Sequence, residues 1–200
     1  MVEKQQNFMP RYKGQKKYNS EQFLEFVKDR EERYELINGK IYMMASPSVI
    51  HQDIALFIGR KVGNYLEGKP CKAFIAPLDV VLFKKDDEKD KSQNVFQPDV
   101  FVVCDPKKIG EGRIYGAPDL VFEIISPSSE IHDYFKKFWL YMQYGVKEYW
   151  IVNPETKQVF VNINEKEKPE EDTESVKYAF SDIIKVGIFD DLYIDLSEFD

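Results

Sequence analysis

Residues 117–152 read APDLVFEIISPSSEIHDYFKKFWLYMQYGVKEYWIV, and this stretch decides the fold. Its first part is an apolar run of strand character that carries two acids, Asp119 and Glu123. A Ser-Pro-Ser-Ser break follows, then a helical pattern bearing Asp133, Lys136 and Lys137, and a second apolar run closes the unit at 149–152. Carboxylates on a buried strand, with lysines on the next helix, require a reason, because an unpaired buried charge is costly. Strand alternation puts Asp119, Val121, Glu123 and Ile125 on one face and Leu120, Phe122 and Ile124 on the other. Glu123 interrupts LVFEII where a buried strand would otherwise carry an apolar residue, which makes it the hardest acid to read as incidental.

Upstream, residues 95–103 predict a strand containing Gln97-Pro98-Asp99. Proline fits at a strand start or edge, so Asp99 enters the sheet just after it. If this strand lies beside the central one, Asp99 and Glu123 converge on one point. Two such carboxylates repel unless a cation or a proton lies between them. Mg²⁺ suits the pair, with Mn²⁺ as the alternative ion: it takes oxygen ligands, keeps several waters and accepts a substrate phosphate. There it activates water and offsets charge on a leaving oxygen, the chemistry of a phosphodiesterase.

The helix supplies a cation. Asp133 and Lys137 are i, i+4 neighbours, and Tyr141 and Tyr144 continue that face. A helix packing back on the strand aims Lys137 at the acids, while Lys136 points about 100° away. Each residue also has a plainer reading. Asp133 and Lys137 can form a surface ion pair worth under about 1 kcal/mol. Asp119, next to Pro118, fits a strand-start or cap acid better than a ligand, and Asp99 fits a turn acid equally well.

Working toward the N-terminus, Asn19 or Ser20 caps a short helix to about residue 28, with Phe23, Leu24 and Val27 as its stripe. RYELINGKIYMM then alternates about Asn38-Gly39, the signature of a type I′ hairpin, with Glu35 on its first strand. Ser46-Pro47-Ser48 starts a second helix, in which Ile50, Ile54, Phe57, Ile58, Val62, Tyr65 and Leu66 recur at helical spacing to about residue 67. His51 lies in its first turn, a common place for an ordinary polar residue. Residues 72–76 and 79–83 read as short strands, followed by the charged loop KKDDEKDKSQN. Beyond residue 152, a turn at Asn153-Pro154-Glu155 leads to a strand at 158–163, an acidic loop at 164–174 and short strands to the end. The class is α/β or α+β with a mixed sheet.

Two hundred residues suit one domain, read as a flexible basic segment 1–18 and a single domain 19–200. No apolar run approaches membrane-spanning length and no signal-peptide core is visible. Cys71 and Cys104 sit in no paired motif and read as buried thiols of a reducing compartment, which points to the cytoplasm. The net charge of −7 argues mildly against nucleic acid, but residues 164–200 alone carry −8, so the rest sum to +1. Residues 1–20 hold five basic residues against Glu3.

The order Glu35-Leu36-Ile37-x-Gly39, Pro47-Ser48-x-x-His51, Pro98-Asp99, Pro118-Asp119-Leu120-Val121-x-Glu123, Ser126-Pro127-Ser128, Asp133-x-x-x-Lys137-x-x-x-Tyr141 and Gly145-Val146-x-Glu148-Tyr149-Trp150-Ile151-Val152 resembles the Uma-two family, restriction-endonuclease-like proteins of the PD-(D/E)XK nuclease superfamily. The resemblance runs from about residue 18 to about 163. It implies a mixed central sheet flanked by helices and metal-dependent hydrolysis of nucleic acid, DNA foremost. By the same resemblance Asp99 matches the first metal-binding acid and Glu123 the second. The superfamily's in-strand lysine would fall at Ile125, a departure. Families with this loss take the lysine from the adjacent helix, and Lys137 matches that position. Glu35 resembles an upstream acid that serves as an auxiliary ligand, and His51 matches a family position without an assigned role.

Three functions compete. The first is an Mg²⁺-dependent endonuclease, for which a homodimer would suit double-strand cutting by symmetry. The second is a catalytically inactive descendant that binds nucleic acid or a protein partner, favoured by the acidic pI and the missing in-strand lysine. The third is a carboxylate-pair hydrolase such as a glycosidase, which Lys137 and the Pro-Asp context do not support.

Overall fold

The structure, a computed structural model, describes residues 17–84, 88–126, 131–164 and 175–200, with side chains in the third helix described from Lys137 onward. Expectations for most of the basic segment, for the Ser-Pro-Ser-Ser break after Ser126, for the acidic loop after Asn164 and for the side chains of Asp133 and Lys136 lie outside the described residues.

Helix α1 spans Ser20–Val27, and Asn19 caps it in a reciprocal box with Gln22. Strands β1 (Tyr34–Ile37) and β2 (Lys40–Met43) form the expected hairpin. Asn38 and Gly39 both hold positive φ, at 50° and 77°, as a type I′ turn demands. A Cβ on Gly39 would also meet Lys17 Cβ at 3.0 Å. Helix α2 (Val49–Tyr65) starts at Ser48, whose side chain accepts from the His51 N–H. Then follow β3 (Lys72–Ile75), β4 (Val80–Val81), β5 (Val95–Phe96), β6 (Val100–Val103), β7 (Ile114–Tyr115) and β8 (Leu120–Ile124). Helix α3 (Ile131–Tyr144) crosses over to β9 (Glu148–Asn153), and β10 (Gln158–Ile163), β11 (Ser175–Ala179), β12 (Ile183–Lys185) and β13 (Tyr193–Asp195) complete the chain.

The strands make a mixed six-stranded sheet, β11-β10-β9-β8-β6-β3, a five-stranded sheet, β2-β1-β5-β4-β7, and the β12–β13 hairpin. In the larger sheet β8 and β9 are parallel, as the α3 crossover allows, and the remaining pairs are antiparallel. Strand β8 is buried on both faces, which explains its near-continuous apolar run. Leu120, Phe122 and Ile124 pack with Trp150 beneath Ile54, Ile58 and Val62 of α2. Val121 and Ile125 pack on the opposite face with Phe138, Tyr141 and Tyr149. Among the described residues no helix is long and apolar enough to cross a membrane.

Two expectations are corrected. The strand expected over 95–103 is two strands: β5 pairs with β1 and β4 in the smaller sheet, whereas β6 pairs with β3 and β8 in the larger. Pro98 has no N–H to give to a ladder, and the chain changes sheets around it. Cys71 and Cys104 are joined in a disulfide rather than standing as separate thiols. The β3–β6 register pairs Lys72 with Val103, so the next pair outward is Cys71 and Cys104. The cysteines therefore no longer speak for a reducing compartment.

Candidate active site

Antiparallel pairing sets Val100 against Phe122, so one residue further Asp99 faces Glu123. The Ile124 N–H donates to Asp99 Oδ2 at 2.8 Å, fixing the aspartate at the rim of β8. The change of sheets at Pro98 is what delivers Asp99 there, at the entrance to β6. Glu123 projects from the α3 face of β8, between Val121 and Ile125, and is 3% exposed.

Helix α3 lies over that face and brings two donors to one oxygen. Lys137 Nζ approaches Glu123 Oε1 at 3.3 Å, and the Tyr141 hydroxyl donates to the same atom at 3.0 Å. The i, i+4 spacing on one helix face permits this convergence. Ile125, at the position of the absent in-strand lysine, is buried in the apolar cluster with Phe138 and Tyr149.

A second sheet contributes the third acid. Glu35 of β1 faces the lysine with both oxygens, Oε1 and Oε2 each 2.9 Å from Nζ. Its Oε1 also accepts from the Gln97 N–H at 3.1 Å. The Gln97 side chain is gripped in turn by Arg33 Nε at 2.8 Å and donates to Asp79 at 2.9 Å. The start of the hairpin therefore holds the Gln97-Pro98-Asp99 segment. From α2, His51 Nε2 lies 3.2 Å from Asp99 Oδ2, while its buried Nδ1 has no hydrogen-bond partner among the described residues.

The structure thus brings together five of the six residues singled out from the sequence: Glu35, His51, Asp99, Glu123 and Lys137. The sixth, Asp133, has a side chain outside the described residues. Asp119 stands apart as a strand-start acid. It accepts from the Cys104 N–H at 2.7 Å and pairs with Lys147 at 2.7 Å.

Burial dominates the electrostatics. It pushes the Glu123 carboxyl up to about 8; Lys137 and the Tyr141 hydrogen bond pull down, Asp99 and Glu35 push further up. Burial, then the charge of Glu123, also raises the Tyr141 phenol. Glu123 consequently keeps its proton near neutrality unless more positive charge arrives.

A divalent ion would bring that charge. Among the described residues no three His, Cys, Asp or Glu side chains group so as to hold a metal on their own. Mg²⁺, however, is commonly held by one or two carboxylates with water and phosphate oxygens completing its shell. Asp99 Oδ2 and Glu123 Oε1 are engaged by protein donors, which leaves Asp99 Oδ1 and Glu123 Oε2 to serve as ligands. This donor set fits Mg²⁺ or Mn²⁺.

Sequence reading assigned no role to Tyr141, Gln97 or the Ile124 N–H. Tyr141 had a signal, one turn beyond Lys137. The two backbone donors had none, because they depend on how segments far apart in the chain meet.

Comparison with known proteins agrees with this architecture. A family profile described as "putative restriction endonuclease", Uma2, matches residues 20–186. The uncharacterized protein slr1290 of Synechocystis sp. is 31% identical over 125 residues, which span 62% of this chain and 62% of that protein, short of two thirds of its length. The crystal structure of a putative nuclease belonging to DUF820 from Anabaena variabilis superposes with a TM-score of 0.70, covering 90% of this chain and 96% of that one. At 21% identity that likeness speaks to the fold.

Proposed function

The chain belongs to the Uma2 family, described as putative restriction endonucleases, and on that premise we propose that it is a metal-dependent endonuclease hydrolysing phosphodiester bonds in nucleic acid, DNA foremost. The observation that carries this reading is the convergence of Asp99, Glu123 and Lys137 from two strands and the crossover helix on one buried point.

In this reading Asp99 and Glu123 hold Mg²⁺, or Mn²⁺ in its place, through their remaining oxygens. The bound ion supplies a water of lowered pKa and stabilises charge at the leaving oxygen. Glu123 must release its proton for this, so ion affinity rises with pH toward about 8. Lys137 contributes a fixed positive charge beside the acids, placed to offset charge that develops on the phosphoryl oxygens. Tyr141 keeps Glu123 Oε1 facing the helix, which leaves the other oxygen for the ion. His51 does the same for Asp99 Oδ2. Ile125 and Phe138 exclude water from the lysine's side of the sheet.

Mn²⁺ titration together with cleavage of plasmid DNA tests the proposal. Wild type should bind one Mn²⁺ and nick DNA in Mg²⁺. Asp99→Asn and Glu123→Gln should each lose both properties while melting cooperatively. Variants that bind Mn²⁺ and cut like wild type would show the site to be misplaced. A wild type that binds neither metal nor cuts would give preference to a non-catalytic binding role.

A further inference from the structure

We propose that Glu35 is a positioning residue that holds Lys137 at the site, and that it is not a ligand of the metal. This rests on the reading that Asp99 and Glu123 hold the ion.

Both Glu35 oxygens are already committed. Each lies 2.9 Å from the lysine ammonium, and Oε1 also takes the Gln97 N–H at 3.1 Å. The carboxylate is 4% exposed, so water contributes little to its solvation and these donors carry its charge. For Glu35 to ligate a metal, a divalent ion would have to crowd an ammonium that already lies 2.9 Å from both oxygens, placing two cations against one carboxylate.

The contacts of the lysine are unequal in the same sense. It stands 2.9 Å from Glu35 but 3.3 Å from Glu123. Of these two acids Glu35 stands nearer the ammonium, and Glu123 keeps its other oxygen for a cation shared with Asp99. A lysine on a helix has four rotatable bonds and would reach for water if nothing held it. The holder comes from outside the strand–helix–strand unit, on a hairpin of the other sheet. That hairpin also fixes the Asp99 segment through Gln97, so one element sets the lysine and the aspartate relative to each other.

Four variants test this: Glu35→Gln, Glu35→Asp, Lys137→Met and the Glu35→Gln/Lys137→Met double variant. Glutamine keeps an oxygen for the Gln97 N–H but loses the charge that holds the ammonium. Mn²⁺ affinity is measured by calorimetry at pH 8. Acylation of Lys137 by an N-hydroxysuccinimide ester is followed by peptide mass spectrometry in metal-free protein. Cleavage is measured in Mg²⁺.

Glu35→Gln should weaken Mn²⁺ binding by less than about tenfold, below the loss expected when a ligand or its direct support is removed. It should speed acylation of Lys137 and lower kcat by about 10²-fold through misplacement of the cation, with KM little changed. Glu35→Asp should recover part of that kcat. In the Lys137→Met background, Glu35→Gln should cost nothing further.

The proposal is overturned if Glu35→Gln loses Mn²⁺ as Asp99→Asn does, if Lys137 acylation is unchanged, or if the kcat loss persists undiminished without the lysine. Failure of the nuclease reading looks different. Wild type would then bind no Mn²⁺ and cut nothing, while Lys137 acylation would still respond to Glu35→Gln and so support the holder.

Discussion

Replacing Glu123 by glutamine should stabilise the metal-free protein at alkaline pH. The Glu123 carboxyl is pushed up from an ordinary 4.5 to about 8, mainly by burial. Across that window the folded protein keeps a proton that the unfolded chain gives up. The contribution of the group to stability is therefore complete below about pH 4.5 and is lost as the pH climbs through about 8. At about 1.4 kcal/mol per pH unit, about 3 kcal/mol has gone by pH 7 and up to about 5 kcal/mol by pH 9. Glutamine has nearly the same shape, and its amide oxygen can still accept from Tyr141 and Lys137, but it has no proton to lose. The stability of the variant relative to wild type should therefore grow by about 4 kcal/mol between pH 5 and pH 9. Urea unfolding followed by tryptophan fluorescence, at pH 5, 7 and 9 with EDTA and no reductant, measures the difference with the disulfide intact in both states. Parallel curves over that range would refute the reasoning, because they would mean that Glu123 ionises in the fold as easily as in the unfolded chain. Saturating Mg²⁺ should recover stability at pH 9 in wild type, about 2.7 kcal/mol at a hundred times Kd, and none in the variant.

Two further substitutions separate structure from site. Glu148 is fully buried and accepts from Trp150 Nε1 at 2.6 Å, the Gly187 N–H at 3.0 Å and the Ile188 N–H at 2.9 Å. Glu148→Ala strands the buried Trp150 donor and takes the acceptor from two part-buried backbone N–H groups, and should cost about 2–3 kcal/mol in urea unfolding while leaving Mn²⁺ affinity as it was; a shifted affinity would tie Glu148 to the site. His51→Ala removes one of two contacts that orient Asp99 and should weaken Mn²⁺ by about 10–10²-fold in a metal titration. Unchanged affinity would reduce His51 to a helix-start polar residue.

What could be read from the sequence was local. The Asn19 cap, the Asn38-Gly39 turn and the Ser48 helix start each depend on neighbours within a few residues, and each stands where expected. Glu123 was legible because it breaks an apolar run, and Asp99 because proline marked the strand entrance. Signals that need register or sheet membership were silent. Nothing near Cys71 announces Cys104 until β3 is set against β6. Nothing in residues 95–103 says that the chain leaves one sheet and enters another. Glu148 stands just before the run 149–152 with no local signal of its own, yet it ties β9 to the β12–β13 side of the molecule through Gly187 and Ile188.

The place of the cation accounts for the deepest omission. A lysine at position 125 would stand two residues from Glu123 on the same strand face, and its charge would be balanced by the acids of that sheet. Here Ile125 fills that place with apolar packing, and Lys137 arrives from the helix above. A buried ammonium entering from that side needs a carboxylate that Glu123 cannot fully provide, because burial holds its proton on. Among the described residues a balancing charge comes from an element facing α3 across the site, where Glu35 stands, 102 residues away in the chain. Moving the lysine from strand to helix thus ties the site to the second sheet. A local reading finds the lysine and both acids of the larger sheet; Glu35 enters only through the family resemblance, as a ligand, and its place beside the lysine depends on how the two sheets meet.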